Sequence, residues 1–194
     1  MSCMLRPCLV IVVGLLLASD QMSPAGERPS IAAGRTNDRP KPRVIVTTDG
    51  EADDRCSMVR FLLYANEWDV RGLIHSSSKH HWRGDADHPA HRWEPVSWLD
   101  RQLETYARVY PKLKQHDPDF PSPAYLKSQV FVGNVALEGD MRAPTAGSDH
   151  IARVLLEPNK SPVWLQAWGG SNTIARALKT IQDKHPDRVA EVAK

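Results

Sequence analysis

The apolar positions of this chain change their period several times, and each change predicts an element. Residues 43–48, Arg-Val-Ile-Val-Thr-Thr, form a β-branched run between Pro42 and Asp49-Gly50, short enough to be a strand buried on both faces. Met58, Phe61, Leu62 and Ala65 then recur at helical spacing over 53–66, with acidic residues at the front, where a helix dipole favours them. Val70-Arg-Gly-Leu-Ile74 reads as a second strand. A strand, a helix of about four turns and another strand make a βαβ unit with parallel strands and a right-handed crossover. The fold class expected is therefore α/β, an open and mostly parallel sheet with flanking helices.

Downstream, 76–94 is polar, aromatic and histidine-rich without periodicity, long enough to predict a functional loop. A helix is expected over 95–110, opened by Pro95 and packing Trp98, Leu99, Leu103 and Tyr106 against the sheet. Another is expected over 148–157, capped by Ser148. A third strand is expected at 163–167, and a helix at 171–184 after Gly169-Gly170. The last residues, 187–194, form an amphipathic stretch with no C-cap, so the domain is expected to be incomplete at Lys194.

The start of the chain has a different character. Arg6 precedes an apolar run, 8–18, that is too short to span a bilayer comfortably, so 1–20 reads as a secretory signal peptide and the protein as exported, with no stable membrane insertion once the leader is cleaved. The Pro-, Ser- and Arg-rich stretch 21–42 has no apolar period and reads as a disordered linker. That leaves 43–194 as a single domain.

Composition narrows the function. A net charge of +2, with both signs mixed along 194 residues, supplies no basic stripe for phosphates, so nucleic acid is not an expected partner. Of three cysteines only Cys56 lies outside the leader, so the mature part has no internal disulfide. Oligomer formation is left open.

The candidate chemistry lies in Asp49-Gly-Glu-Ala-Asp-Asp54, where several carboxylates leave the carboxyl end of the first strand, the end at which open α/β sheets bind ligands. Oxygen-only ligands of high charge point to a hard cation such as calcium. An EF-hand is excluded, because Asp54 stands where its glycine belongs and Arg60 where its closing glutamate belongs. An aspartyl-phosphate phosphatase fits poorly, because Thr47 occupies the place of the nucleophile. The plainer alternative is that these acids only cap a helix. His75, His80, His81, His88 and His91 invite a zinc reading, yet no Cys or His-Glu-x-x-His frame supports it. Trp82, Arg83, Asp85 and Trp93 suit a sugar-facing wall, against the plainer reading of a solvated loop.

The run 49–54 resembles the acidic signature of nucleoside hydrolases, with Gly-Glu in place of the usual Pro-Gly and Thr47 in place of the first acid. Trp164-Leu-Gln-Ala-Trp-Gly-Gly-Ser-Asn-Thr173 is similar to that family's strand, glycine turn and helix. A closer resemblance is to the bacterial, exported cellulose-binding, nucleoside-hydrolase-like family. It runs through Ser76-Ser-Ser78, His81-Trp-Arg-Gly-Asp85, Tyr106 to Leu113, His116, Pro121 to Leu126 and Trp168 to Asn172. The resemblance implies calcium held by Asp49, Asp54 and the main-chain carbonyl of Trp168. It also implies that Asp49 helps deprotonate a calcium-bound water and that Asp53 grips sugar hydroxyls. Trp82 and Asp85 complete the expected substrate-binding set. The activity implied is hydrolysis of N-glycosyl, nucleoside-like bonds, and the alternative is a carbohydrate (cellulose-type) binding domain without catalysis. The family's last calcium-binding aspartate would lie beyond Lys194.

Overall fold

The computed structural model describes residues 40–158 and 161–193; the leader and nearly all of the expected linker lie outside the described residues. A four-stranded parallel sheet in the order β3-β2-β1-β4 forms the middle layer, from β1 (Arg43–Thr48), β2 (Asp69–His75), β3 (Val130–Val132) and β4 (Val163–Ala167).

Alternation along β1 explains why the central strand reads as an unbroken apolar run. Val44 and Val46 face one cluster with Met58, Phe61 and Leu62 of α1 (Ala52–Leu63), and with Trp98, Leu99, Leu103 and Tyr106 of α2 (Ser97–His116). Ile45 faces the other cluster, with Ile151 and Val154 of α4 (Ala146–Leu155) and Ala177 and Ile181 of α5 (Asn172–Lys184). A strand covered by helices on both faces has no polar side to show.

Several boundaries differ from expectation. The second helix does not stop before Pro111 but carries it inside and runs on to His116. Tyr110 and Leu113 still pack on the core there, and that packing offsets the hydrogen bond proline cannot make. Helix α4 is capped by Thr145 rather than Ser148. Ser148 is its reciprocal partner in a capping box, its hydroxyl accepting from Thr145 N while Thr145 Oγ1 accepts from Ser148 N. Helix α3 (Pro123–Ser128) and the short β3 were not foreseen. The amphipathic end becomes a 3₁₀ turn, Pro186–Arg188, and a short α6 (Val189–Val192). Among the described residues no helix is long and apolar enough to cross a membrane.

Candidate functional site

Three of the four strand ends deliver polar side chains to one place. β1 ends in Thr48 and the buried Asp49, β2 in the buried His75, and β3 leads to the buried Asn134. The turn after β4 brings Gly169 and Gly170 alongside. Ser76 N donates to Thr48 O, Ser77 N to Asn134 O and Gly170 N to Ser77 O, so the four loops are laced together by backbone hydrogen bonds. Asn172 fixes the floor, donating through Nδ2 to Ser77 Oγ and Asn134 O.

The acid loop folds around Gly50, whose φ of 82° lies in the region that glycine enters without a steric cost. A Cβ at Gly50 would also come within 2.4 Å of Trp98 Nε1, so the loop lies flat on that indole. This turn allows Asp54, in the first turn of α1, to reach back: its Oδ2 accepts from Thr48 Oγ1 (2.5 Å), Asp49 N (3.0 Å) and Gly50 N (3.3 Å). Burial, helped by the neighbouring Asp49 carboxylate and opposed by the Thr48 hydroxyl, pushes the Asp54 carboxyl up to about 6. Two carboxylates thus share one pocket, and among the described residues the ion-pair contact either makes is that of Asp49 with His81.

The loops around Asp49 close in tightly. A Cβ at Gly169 would lie 3.0 Å from Asp49 Cγ, so the Trp168-Gly169 backbone runs directly against this carboxylate. The Trp168 indole turns away, edge-on to Phe61 at 5.8 Å, with Nε1 donating to Gln166 Oε1. His75 lies 3.4 Å through Nε2 from Asp49 O and stacks on Trp93 at 4.6 Å; burial lowers its pKa to about 4, so the ring is neutral near pH 7.

Of the residues singled out from the sequence, Asp49, Asp54 and the Trp168 backbone converge. Asp53 sits on the same helical turn but is exposed. Trp82 stacks on His91 at 4.5 Å and donates through Nε1 to Pro89 O, a contact that shapes the 82–91 loop. Asp85 is engaged by His88 Nδ1 at 2.8 Å and Arg142 Nη2 at 2.9 Å, and these partners hold its carboxyl well below the usual range. Glu51 from the acidic run and His81 from the histidine cluster, neither of them among the expected site residues, also join the centre: His81 Nδ1 lies 3.3 Å from Glu51 Oε1 and 3.5 Å from Asp49 Oδ2. No periodicity pairs positions 30 residues apart on separate loops, so the sequence carries no signal for this meeting.

A parallel sheet with an acid loop at the carboxyl end of its central strand defines the chain as a nucleoside-hydrolase-like α/β domain. It belongs to the family described as "Cellulose-binding Sde182, nucleoside hydrolase-like domain", which matches residues 43–194. Its structure is similar to that of a nucleoside hydrolase-related hypothetical protein from Saccharophagus degradans associated with carbohydrate metabolism, with 32% identity and a TM-score of 0.68. That match covers 79% of this chain and 36% of the other, so the chain spans about a third of that protein. No curated protein matches the chain.

Proposed function

We propose that the cleft at the carboxyl end of β1 recognises a sugar ring and hydrolyses a glycosyl bond of the N-glycosyl, nucleoside-like kind, in an exported protein. The observation that carries this reading is the buried pair Asp49 and Asp54, with one carboxyl held near pH 6 beside the other. A surface that only binds sugar needs aromatic faces and hydrogen bonds. A pair of buried acids whose environments differ is what proton transfer needs.

The donor set fits calcium in kind: two neighbouring carboxylates, with the Trp168-Gly169 backbone running against Asp49 and the Trp168 carbonyl as the third oxygen of this reading. Asp54 Oδ2 is committed to Thr48 and the loop amides, so its ligand oxygen would be Oδ1. Calcium held by Asp49, Asp54 and the Trp168 carbonyl would supply Lewis acidity, making a neighbouring water easier to deprotonate. The chain's own groups do the rest. Asp49 accepts the proton from the attacking water, and the negative cleft favours an oxocarbenium-like transition state. Asp53, exposed at the rim, offers a carboxylate to sugar hydroxyls, with Trp82 and Asp85 on the loop beyond.

A second reading, carbohydrate binding without turnover, is favoured by the family description and by the exposed loop carrying Trp82. One experiment separates the two: the purified protein is incubated with inosine, uridine and cello-oligosaccharides in calcium and in chelator, and free base, free sugar and retained oligosaccharide are measured. Calcium-dependent base release that Asp49→Asn abolishes supports hydrolysis. Retention of oligosaccharide with no release under either condition replaces it with the binding reading.

A further inference from the structure

His81 is presented by a tight turn: Ser78 N donates to His81 O at 2.9 Å, and His80 N donates to Ser78 Oγ at 3.1 Å. Its side chain is only 8% exposed, and its Nδ1 is fully buried with no hydrogen-bond partner although it faces two carboxylates. Glu51 makes no helix-capping bond from its side chain. Arg55, four residues beyond Glu51, turns instead to Glu94 and to Gly50 O. One ligand atom each from Asp49, Glu51 and His81 therefore lie within 4.8 Å of one another.

With its proton on Nε2, His81 turns the Nδ1 lone pair toward two carboxylate oxygens, an arrangement that is repulsive unless a cation sits between them. The separations of 3.3 and 3.5 Å from Nδ1 to the two oxygens are too loosely aligned for hydrogen bonds, yet they match the edge of a coordination polyhedron. Ligands about 2.1 Å from a shared ion, at tetrahedral angles, stand about 3.4 Å apart.

We propose that Asp49, Glu51 and His81 form a binding site for a borderline divalent transition ion of the zinc type, leaving a coordination position open. An imidazole beside two carboxylates selects such an ion over calcium, which takes oxygen ligands in larger number. An open position on a three-ligand site admits water or a sugar hydroxyl, so the ion would sit where the substrate binds. The inference rests on the cleft proposed above but not on calcium, since Asp49 alone is common to both ligand sets.

The test uses the purified full chain, stripped with chelator and dialysed, and then titrated with Zn²⁺ by calorimetry and with Co²⁺ by visible absorption. One equivalent of Zn²⁺ should bind, and Co²⁺ should give a low-coordination d–d band. Glu51→Gln and His81→Gln should each weaken Zn²⁺ binding at least about tenfold, since even loss of a supporting contact weakens metal sites by that much. The double variant His88→Gln, His91→Gln should bind as the parent does. Melting temperatures without metal show whether each variant folds, and the half-exposed Glu51 keeps the test alive if His81→Gln does not. Asp54→Asn should lose the calcium response and keep Zn²⁺, so failure of the calcium reading leaves this result standing. Parent protein that takes up no Zn²⁺, a Glu51→Gln variant that binds normally, or loss of binding in the His88, His91 variant would each overturn the proposal.

Discussion

The two ends of the sheet hold buried charge in opposite ways. At the amino end Arg43, buried at 3% exposure, places its Nη2 on Glu157 Oε2 and Val154 O and its Nη1 on Ser161 O, while Arg71 takes Glu157 Oε1. Each charge there has an opposite charge in contact. At the carboxyl end Asp49 and Asp54 crowd together, the nearest imidazoles stay unpaired at Nδ1, and Arg55 faces Glu94 instead. A matched network anchors a fold; a mismatched one, kept in place by backbone hydrogen bonds, is ready to receive a charged ligand. The same chain builds both at opposite ends of the six-residue β1, so the mismatch is local to the cleft.

The comparison breaks most visibly at Glu157. Glu157→Ala strands the buried Arg43 and should cost about 3 kcal/mol in urea denaturation, because removing one partner of a buried pair leaves an uncompensated charge. Next comes Gly50→Ala, where a Cβ meets Trp98 and φ is positive; a loss of about 2 kcal/mol is expected, together with loss of any metal response.

Asp54→Asn should have the opposite sign at neutral pH. The folded pKa of Asp54, about 6, lies above its ordinary 3.8, so its contribution is fully present below about pH 4 and is lost as pH rises through 6. In chelator at pH 7.5, Asp54→Asn should therefore be no less stable than the parent and up to about 2 kcal/mol more so, a gap that closes as pH falls toward 4. The same substitution should abolish calcium-dependent stabilisation. Stability curves at several pH values, with and without calcium, measure both effects.

The scaffold was largely legible because periodicity reports burial. Residues 43–48 and 163–167 form strands with the expected boundaries, since each is a short apolar run between breakers. The three-residue β3 carries too few positions to show any period, and α2 continues past Pro111 because tertiary contacts of Tyr110 and Leu113 override the local signal. The site was legible only along the chain. Asp49 and Asp54 announce themselves through spacing, but Glu51 gains a role only when His81 arrives from the loop after β2, and no local pattern encodes that arrival.

His150 gives a smaller contrast on the α4 face. Its ring stacks on Phe131 at 4.0 Å with Nε2 donating to Arg71 O, and burial lowers its pKa. A depressed histidine adds stability that is present above its unfolded value of about 6.5 and is lost as pH falls toward the folded one. His150→Gln should flatten that acid-side slope, while leaving calcium and sugar responses unchanged.

The smallest effect on stability is expected at Asp53, and it sharpens the contrast between holding a fold and meeting a ligand. Asp53 is exposed in the first turn of α1, where a carboxylate gains only a few tenths of a kcal/mol from the helix dipole. Asp53→Asn should leave the urea midpoint almost where it was, yet weaken sugar binding, since an amide replaces one of the two acceptor oxygens a diol would meet. Calorimetric titration with ribose and cellobiose, beside the denaturation curve, reads both quantities. An unchanged midpoint with unchanged sugar affinity would remove Asp53 from the site and leave recognition to Trp82 and the 82–91 loop.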